Sequence, residues 1–129
     1  MPTADDHYQV TLDDILLVHD AMLALGGGRP GISRMESVLG AIGRPYIGYF
    51  ETLEEKAAAL MHGVASSHGF SDGNKRTATA ITLVMIGRSG HRIDLRDGER
   101  LDDVPVDLIE GRISQDDLIV WFRERLAPL

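Results

Sequence analysis

Cysteine is absent from the 129-residue sequence, so a disulfide framework and a zinc–thiolate site are both excluded. Aromatic residues make up only 5 % of the chain. No apolar run approaches the roughly 20 residues needed to span a bilayer. The first residues include Asp5 and Asp6 and no apolar stretch, so no secretory signal peptide is expected. These absences predict a cytoplasmic protein without a membrane partner.

An excess of positive charge is also missing. The formal net charge of −7 argues against direct DNA binding, because nucleic-acid binders present a basic face. A nucleotide site remains possible, since the field at a site depends mainly on its nearest charges and dipoles. The balance of 43 % hydrophobic and 26 % charged residues predicts one globular domain over residues 1–129, with a flexible segment at residues 1–10.

Apolar residues at helical spacing dominate the chain and predict an all-α fold, a compact bundle of about six helices. Thr11 is suited to cap the first helix, and the glycines at 26–28 are suited to end it. Ser33–Glu36 and Thr52–Glu55 both match the capping-box pattern that begins a helix. The apolar stripe that follows the second box continues to His68, which predicts this histidine at the buried end of a packed helix.

Three further helices are expected in the second half of the chain. One runs from near Asn74 to Gly90, one lies around residues 100–110 and contains Pro105, and the last begins after Ser114. The segment Gly43–Glu51 contains Pro45 and two glycines among β-prone residues. It predicts a long loop or a short hairpin beside the bundle.

The residues between the third and fourth predicted helices form a candidate anion site. Residues 69–73 are small or polar apart from Phe70 and lead directly into a helix start. Free N–H groups around Gly73, Asn74 and Lys75 would point outward there, with the helix dipole behind them. Lys75 and Arg76 add two cations at the same place, which is an unfavourable position for a cation unless an anion binds.

The same segment contains a candidate metal ligand and a candidate base. Asp72 supplies a hard carboxylate oxygen, the kind of ligand that Mg²⁺ prefers. His68 precedes the turn and can accept a proton near neutral pH. Phe70 is expected to pack into the core and fix the turn. Phosphates on a helix end, a metal and a base form the set that phosphoryl transfer requires.

The nine residues His68-Gly69-Phe70-Ser71-Asp72-Gly73-Asn74-Lys75-Arg76 resemble the H-x-F-x-D/N-A/G-N-K-R motif of Doc (death-on-curing) toxins, a branch of the Fic superfamily. The similarity extends from Leu17–Asp20 through Gly27–Ile32 to Gly111–Ser114. It implies a Fic/Doc-type toxin of a toxin–antitoxin system. Such a toxin is a protein kinase that uses ATP and Mg²⁺ to phosphorylate elongation factor Tu and is restrained by a Phd-like antitoxin. Tyr46–Phe50 would correspond to the family's flap, which clamps an extended target segment.

The resemblance also implies a role for each residue of the motif. His68 activates the target hydroxyl as a general base, Asp72 holds Mg²⁺, and Asn74 orients the phosphates. Lys75 and Arg76 neutralise phosphate oxygens. The full phosphate-binding set implied in this way is Ser71, Gly73, Asn74, Lys75 and Arg76.

Two departures from the broader Fic pattern, H-P-F-x-D/E-G-N-G-R-x-x-R, favour phosphate transfer over AMP transfer. Lys75 stands where AMP-transferring members have Gly, and Thr79 stands where they have a second Arg. Both changes disfavour the nucleotide pose that presents the α-phosphate. The self-inhibitory pattern S/T-x-x-x-E-G/N of many Fic proteins is absent from the sequence, so inhibition is expected from a separate chain.

Other interpretations remain open at this stage. His68 also fits a buried core histidine, and Asp72 fits a helix cap. AMP transfer and a non-catalytic binding module are the alternative functions. The run Gly26–Gly31 satisfies G-x-G-x-x-G, but it follows a predicted helix and contains Pro30, so we interpret it as a loop. The remaining histidines interpreted as structural or surface residues are His7, His19 and His91.

Overall fold

The computed structural model of the chain describes residues 7–129, which form six α-helices and one two-stranded sheet. The helices are α1 (Leu12–Gly26), α2 (Met35–Gly43), α3 (Leu53–Ser66), α4 (Asn74–Arg88), α5 (Asp103–Ile109) and α6 (Gln115–Arg125). Strands β1 (His91–Ile93) and β2 (Leu126–Pro128) pair antiparallel. The predicted all-α bundle is confirmed. Within residues 7–129 no helix is both long enough and apolar enough to cross a membrane.

Helix α3 lies at the centre of the bundle and contacts α2, α4, α5 and α6. Its alanines at 57–59 are fully buried together with Leu60 and Met61. Small side chains on several faces let the neighbouring helices approach closely, which a helix surrounded by others requires. Helix α4 is buried in the same way through Ala78 and Ile81. The turn between α3 and α4 therefore has a packed helix at each end.

Of the helix caps predicted in the first half of the chain, those at Thr11 and Thr52 are confirmed and the one at Ser33 is wrong. Thr11 and Thr52 each accept a backbone N–H at the third helical position and complete a capping box. The box predicted at Ser33 does not form, because α2 begins after Arg34, which makes no side-chain cap. The hydroxyl of Ser33 instead lies 3.1 Å from that of Ser71. A contact far along the chain has replaced the local one.

The later helices agree with the sequence. Helix α4 occupies most of the predicted span, and Ser114 caps α6 through a capping box. Pro105 lies in the first turn of α5, where its missing N–H would have no helical partner in any case. The proline therefore permits a short helix that begins just before it.

The segment after α2 forms a loop and not a hairpin. A 3₁₀ turn (Arg44–Tyr46) continues the chain from α2, and no strand follows it before α3. Phe50 is buried, whereas Ile47 and Tyr49 are 69 % and 79 % exposed. The loop is anchored by one aromatic residue and leaves two large apolar side chains in solvent.

The chain before α1 packs onto the bundle from residue 8 onward. Val10 is 3 % exposed and donates its N–H to Tyr46 Oη at 3.1 Å, and this hydroxyl donates to Tyr8 O at 2.7 Å. Burial raises the pKa of Tyr46 to about 12, so the phenol stays neutral. Tyr8 and Val10 belong to the segment 1–10 that is predicted to be flexible, and residues 1–6 lie outside the described residues, so this flexibility stays a prediction.

An ion pair ties the loop after β1 to α6. Arg125 is 6 % exposed and donates to the Glu99 carboxylate through Nε at 2.8 Å and Nη2 at 2.6 Å. Its guanidinium lies 4.4 Å from the centre of the Trp121 ring. The hydrogen bonds from Arg125 lower the pKa of Glu99 to about 2.

We predict that Glu99→Gln lowers the melting temperature by a few degrees near neutral pH and that this difference disappears in acid. The folded state holds the pKa of Glu99 at about 2, against an ordinary value of 4.5. The stabilisation is therefore complete above the ordinary value and is lost as the pH falls towards about 2. Thermal unfolding across this pH range measures the effect.

Glu124→Gln is the matched control, because Glu124 faces the same guanidinium at a longer distance of 3.4 Å and is half exposed. We expect this variant to melt close to the wild type at every pH. A Glu99→Gln protein as stable as the wild type at neutral pH would show that the ion pair between Glu99 and Arg125 does not stabilise the fold.

Candidate active site

The connection between α1 and α2 braces the turn between α3 and α4. We call residues 27–34 the bracing loop and residues 67–73 the site turn. Gly69 O accepts two N–H groups of the bracing loop at 2.8 and 3.0 Å, and Ser71 donates its N–H to Gly31 O at 3.1 Å. An isolated antiparallel bridge lies between these bonds. The site turn is thus fixed like a strand although it belongs to no sheet.

Phe70 anchors the site turn in the core, as the sequence predicts. It is 2 % exposed and stacks on the imidazole of His19, with ring centres 3.8 Å apart and planes inclined by 10°. His19 comes from α1, is 2 % exposed, and places its Nε2 atom 2.8 Å from Asp72 O. The interpretation of His19 as a structural residue therefore agrees with its burial, and it lies directly beneath the site turn.

His68 is exposed, so the prediction that it ends the buried stripe of α3 is wrong. The helix stops at Ser66, because the Ser67 hydroxyl donates to Val64 O and accepts the N–H of Gly69. His68 adopts φ = 52°, the one positive φ of a residue other than glycine in the described range. Such a conformation costs about 1–3 kcal/mol and occurs preferentially at functional sites. The alternative of a core histidine is excluded.

An open pocket of about 260 Å³ lies over the site turn and the start of α4. Its walls contain all the predicted catalytic, phosphate-binding and metal-binding residues. The lining residues are Ala65, His68, Ser71, Asp72, Gly73, Asn74, Lys75, Arg76 and Ile109. Ile109 comes from the end of α5, and no pattern in the sequence indicates that it reaches this pocket.

The start of α4 presents unpaired backbone donors. Gly73 precedes the helix with φ = 77°, a left-handed conformation that glycine adopts without strain. The N–H groups of Asn74, Lys75 and Arg76 have no acceptor within the described part of the chain. The Gly73 N–H differs from expectation, because it donates to Asp72 Oδ1 at 2.9 Å. The anion site therefore begins one residue later than the sequence predicts.

The Asp72 carboxylate is held ionised beside these donors. Hydrogen bonds from the backbone N–H of Arg29 and then of Gly73 lower the pKa of Asp72 below its ordinary value. Asp72 is not the cap of α4, because Gly73 occupies that position. Each carboxylate oxygen accepts one N–H, at 3.2 and 2.9 Å, and keeps a lone pair for a further ligand.

A divalent cation would find only part of its coordination sphere here. Residues 7–129 contain no group of three or more His, Asp or Glu side chains suited to a metal ion. Mg²⁺ commonly binds through one or two carboxylates, substrate phosphates and water. The ionised Asp72 next to an anion site fits a Mg²⁺ ion that arrives with a polyphosphate.

The two cations of the motif have different environments. Arg76 donates from Nη1 to Met22 O at 3.0 Å and from Nη2 to Gly27 O at 2.7 Å, which satisfies carbonyls at the end of α1. A Cβ atom at Gly26 would lie only 1.8 Å from Arg76 Nη1, so a larger residue there would displace the guanidinium. Lys75 is exposed, and its ammonium group has no ion-pair or hydrogen-bond partner among residues 7–129. Lys75 is therefore the cation available to a bound anion.

Two predicted phosphate ligands hold the site turn itself. Asn74 accepts the Phe70 N–H at Oδ1, at 3.1 Å, and donates from Nδ2 to Phe70 O at 3.0 Å. The Ser71 hydroxyl pairs with that of Ser33. Both polar ends of the Asn74 side chain bond to the backbone of Phe70, so its backbone N–H is the group that it leaves available to an anion.

Sequence reasoning misses two residues that shape the site. His19 contacts the backbone of Asp72, and Arg29 donates its N–H to the carboxylate. Arg29 also donates from Nη2 to Ser71 O at 3.3 Å. The run Gly26–Gly31 is a loop, as interpreted. Its unusual glycine content was the available signal that it approaches another backbone closely.

Comparisons with known proteins agree with this geometry. The Fic/DOC family model matches residues 9–86, which extend from the start of α1 through nearly all of α4. Protein kinase doc of Escherichia phage P1 is 31 % identical over 110 residues, covering 81 % of this chain and 85 % of that protein. The matched region contains the site turn, the bracing loop and His19. The chain therefore belongs to the Fic/DOC family, as its motif resemblance predicts.

Proposed function

We propose that this chain is a Doc-type toxin that acts as a protein kinase. It would transfer the γ-phosphate of ATP, with Mg²⁺, to a Ser or Thr hydroxyl of a translation factor, with elongation factor Tu as the acceptor implied by the resemblance. One observation carries the proposal: an exposed, strained His68 shares a pocket with three unpaired amides and Lys75. The name of the phage P1 relative supports the same reaction class.

The proposed reaction is an in-line displacement at phosphorus. The His68 imidazole takes the proton from the acceptor hydroxyl as its oxygen bonds to the γ-phosphorus. The bond from that phosphorus to the bridging oxygen breaks, and ADP leaves with the electron pair. Lys75 and the amides at the start of α4 stabilise the negative charge on the phosphate oxygens. The proton then passes from His68 to solvent, which restores the base.

Asp72 is the residue that would hold the metal. Mg²⁺ supplies charge neutralisation between neighbouring phosphates when it is bound. Asp72 is suited to it because backbone donors lower its pKa and keep it anionic. Arg76 lines this pocket, although its guanidinium donates hydrogen bonds to the end of α1. Its positive charge helps to lower the pKa of Asp72.

The environment of two residues favours γ-phosphate transfer over AMP transfer. Lys75 extends from the start of α4, at the position where AMP-transferring relatives have a glycine, and it fills space beside the first amides. Thr79 replaces the second Arg of those relatives. It is 6 % exposed and bonds back to Lys75 O at 3.4 Å, so it offers no cation to an α-phosphate.

We predict that the wild-type protein, incubated with ATP, Mg²⁺ and elongation factor Tu, adds the mass of one phosphoryl group to the factor. His68→Ala should lower this rate by about 10²–10⁴-fold, the usual contribution of a general base. The variant should melt like the wild type, since His68 is exposed and its side chain makes no hydrogen bond with residues 7–129. Intact-mass spectrometry follows the product.

His62→Ala is the matched control, because His62 belongs to the same helix end but bonds to Gln115 outside the pocket. An adduct with the mass of AMP would replace the kinase proposal with AMP transfer. Growth inhibition that survives His68→Ala would favour a binding module. No adduct on any translation factor would refute the enzymatic proposal.

We predict that Lys75 and Arg76 differ in what their removal changes. Lys75→Ala should weaken binding of an ATP analogue by about tenfold without a change in melting temperature, because the ammonium group of Lys75 has no partner among residues 7–129. Arg76→Ala should destabilise the fold by about 2–3 kcal/mol, since two charge-assisted hydrogen bonds to α1 are lost. Calorimetry and thermal unfolding separate these effects, with Lys75→Arg as the charge-retaining control. Equal melting temperatures of the wild type and Arg76→Ala would contradict the structural role of Arg76.

We also propose a Phd-like antitoxin as the partner that restrains this toxin. Leu17 and Leu25 lie eight residues apart on one face of α1 and are 71 % and 82 % exposed. Ala21 lies between them on that face and is exposed as well. Apolar side chains at this spacing suit a helical segment of a partner, and α1 adjoins the site through His19 and the bracing loop.

We predict that Leu25→Asp weakens binding of the cognate antitoxin by tenfold or more, while phosphoryl transfer stays at the wild-type rate. A buried apolar contact is expected to contribute about 1–2 kcal/mol to such an interface. The product of the neighbouring reading frame is the ligand for the titration. Leu129→Asp, at a 76 % exposed leucine outside α1, is the control. Unchanged affinity in both variants would remove α1 from the interface.

A further inference from the structure

His19 is a buried polar residue with two contacts to the site turn. Its ring lies parallel to Phe70 at 3.8 Å, and its Nε2 atom lies 2.8 Å from Asp72 O. The residue is 53 positions before Asp72 and is 2 % exposed. An apolar side chain would fill this space without the cost of desolvating an imidazole. The hydrogen bond to Asp72 O is the contact that offsets the cost.

The contact with Asp72 O fixes the tautomer of His19. A carbonyl oxygen can only accept a hydrogen bond, so Nε2 carries the proton and donates. The other ring nitrogen, Nδ1, faces Asp20 Oδ1 at 4.0 Å. The ring also approaches the start of α4, since a Cβ atom at Gly73 would lie 3.8 Å from His19 Cδ2. The imidazole therefore bonds to the site turn at the Asp72 carbonyl and lies near its last residue, Gly73.

The bonded carbonyl belongs to the peptide that joins Asp72 to Gly73. Because a peptide unit is planar, fixing its oxygen also fixes the direction of the Gly73 N–H. This N–H donates to Asp72 Oδ1 at 2.9 Å. One hydrogen bond from His19 thus fixes the orientation of the Asp72–Gly73 peptide. The N–H of this peptide in turn orients the Asp72 carboxylate, and the chain continues from it into the unpaired amides of α4.

We propose that His19 is a positioning residue for the nucleotide and metal site. It holds the Asp72–Gly73 peptide in the orientation that turns the Asp72 carboxylate and the first amides of α4 towards one pocket. This inference rests on the proposed function and deepens it, because it names the residue that preorganises the phosphate-binding face. It also explains why a histidine, and not an apolar residue, stacks on Phe70.

Two variants of the full chain separate the hydrogen bond of His19 from its packing. His19→Phe keeps an aromatic ring against Phe70 and removes the donor. His19→Gln loses the ring and keeps an N–H at a similar reach. The readouts are the exchange rate of the Gly73 amide by NMR and the affinity for Mg·ADP by calorimetry, with thermal unfolding as the measure of folding.

We expect His19→Phe to speed exchange of the Gly73 amide by about tenfold and to weaken Mg·ADP binding by about tenfold, while His19→Gln stays within about twofold of the wild type. A residue that only packs would give the opposite order, with the Phe variant normal and the Gln variant impaired. That order, or wild-type values in both variants, would overturn the proposal.

If His19→Phe does not fold, the His19→Gln variant alone tests the positioning role. Wild-type exchange and affinity in a Gln variant of any melting temperature support the positioning role, and a tenfold loss in both overturns it. A failure of the proposed function gives a result that is distinct from a failure of the positioning role. A wild-type protein that binds no Mg·ADP or transfers no phosphate refutes the kinase, and the Gly73 exchange rates still decide whether His19 fixes the peptide.

Discussion

The backbone pairing between the bracing loop and the site turn is the interaction on which the candidate site depends. Gly69 and Ser71 place their hydrogen-bonding groups on the opposite connection, so two segments outside regular secondary structure satisfy each other. Each connection begins and ends in a packed helix. The backbone of the site turn is therefore fixed like an element of the core, with Phe70 buried and with His68 and Asp72 lining an open pocket, which is the requirement for a preorganised site.

Arg76 links the charges at two helix ends, the C-terminal end of α1 and the N-terminal end of α4. The last turn of α1 has no basic residue of its own, and Arg76 from α4 supplies the cation that its carbonyls favour. Arg76 thereby occupies the negative end of α1, and the positive end of α4 keeps Lys75 and three unpaired amides. A protein of net charge −7 thus presents a compact positive site. The ammonium group of Lys75 has no ion-pair partner among residues 7–129, which leaves it available to an anionic ligand.

Local sequence patterns predicted the features that depend on neighbouring residues, such as helix caps. Features that depend on contacts between distant residues were not predicted. Thr11 and Thr52 cap their helices because the acceptor and donor lie within three residues. Ser33 carries the same pattern, but Ser71, 38 residues away, takes its hydroxyl. Apolar periodicity placed His68 on α3, since the pattern contains no signal for the Ser67 hydroxyl that ends the helix. The motif and the helices were therefore predictable, and the partners of individual side chains were not.

The motif contains two kinds of residue that a sequence match cannot separate. Phe70, Asn74 and Arg76 make contacts inside the protein and hold the turn, whereas His68 and Lys75 direct their side chains at the pocket. Substitution of either kind can abolish activity, because a displaced group and a missing group both raise the barrier. Loss of activity alone therefore does not identify the chemistry. A chemical role follows only where activity is lost while the melting temperature and the geometry of the turn are kept.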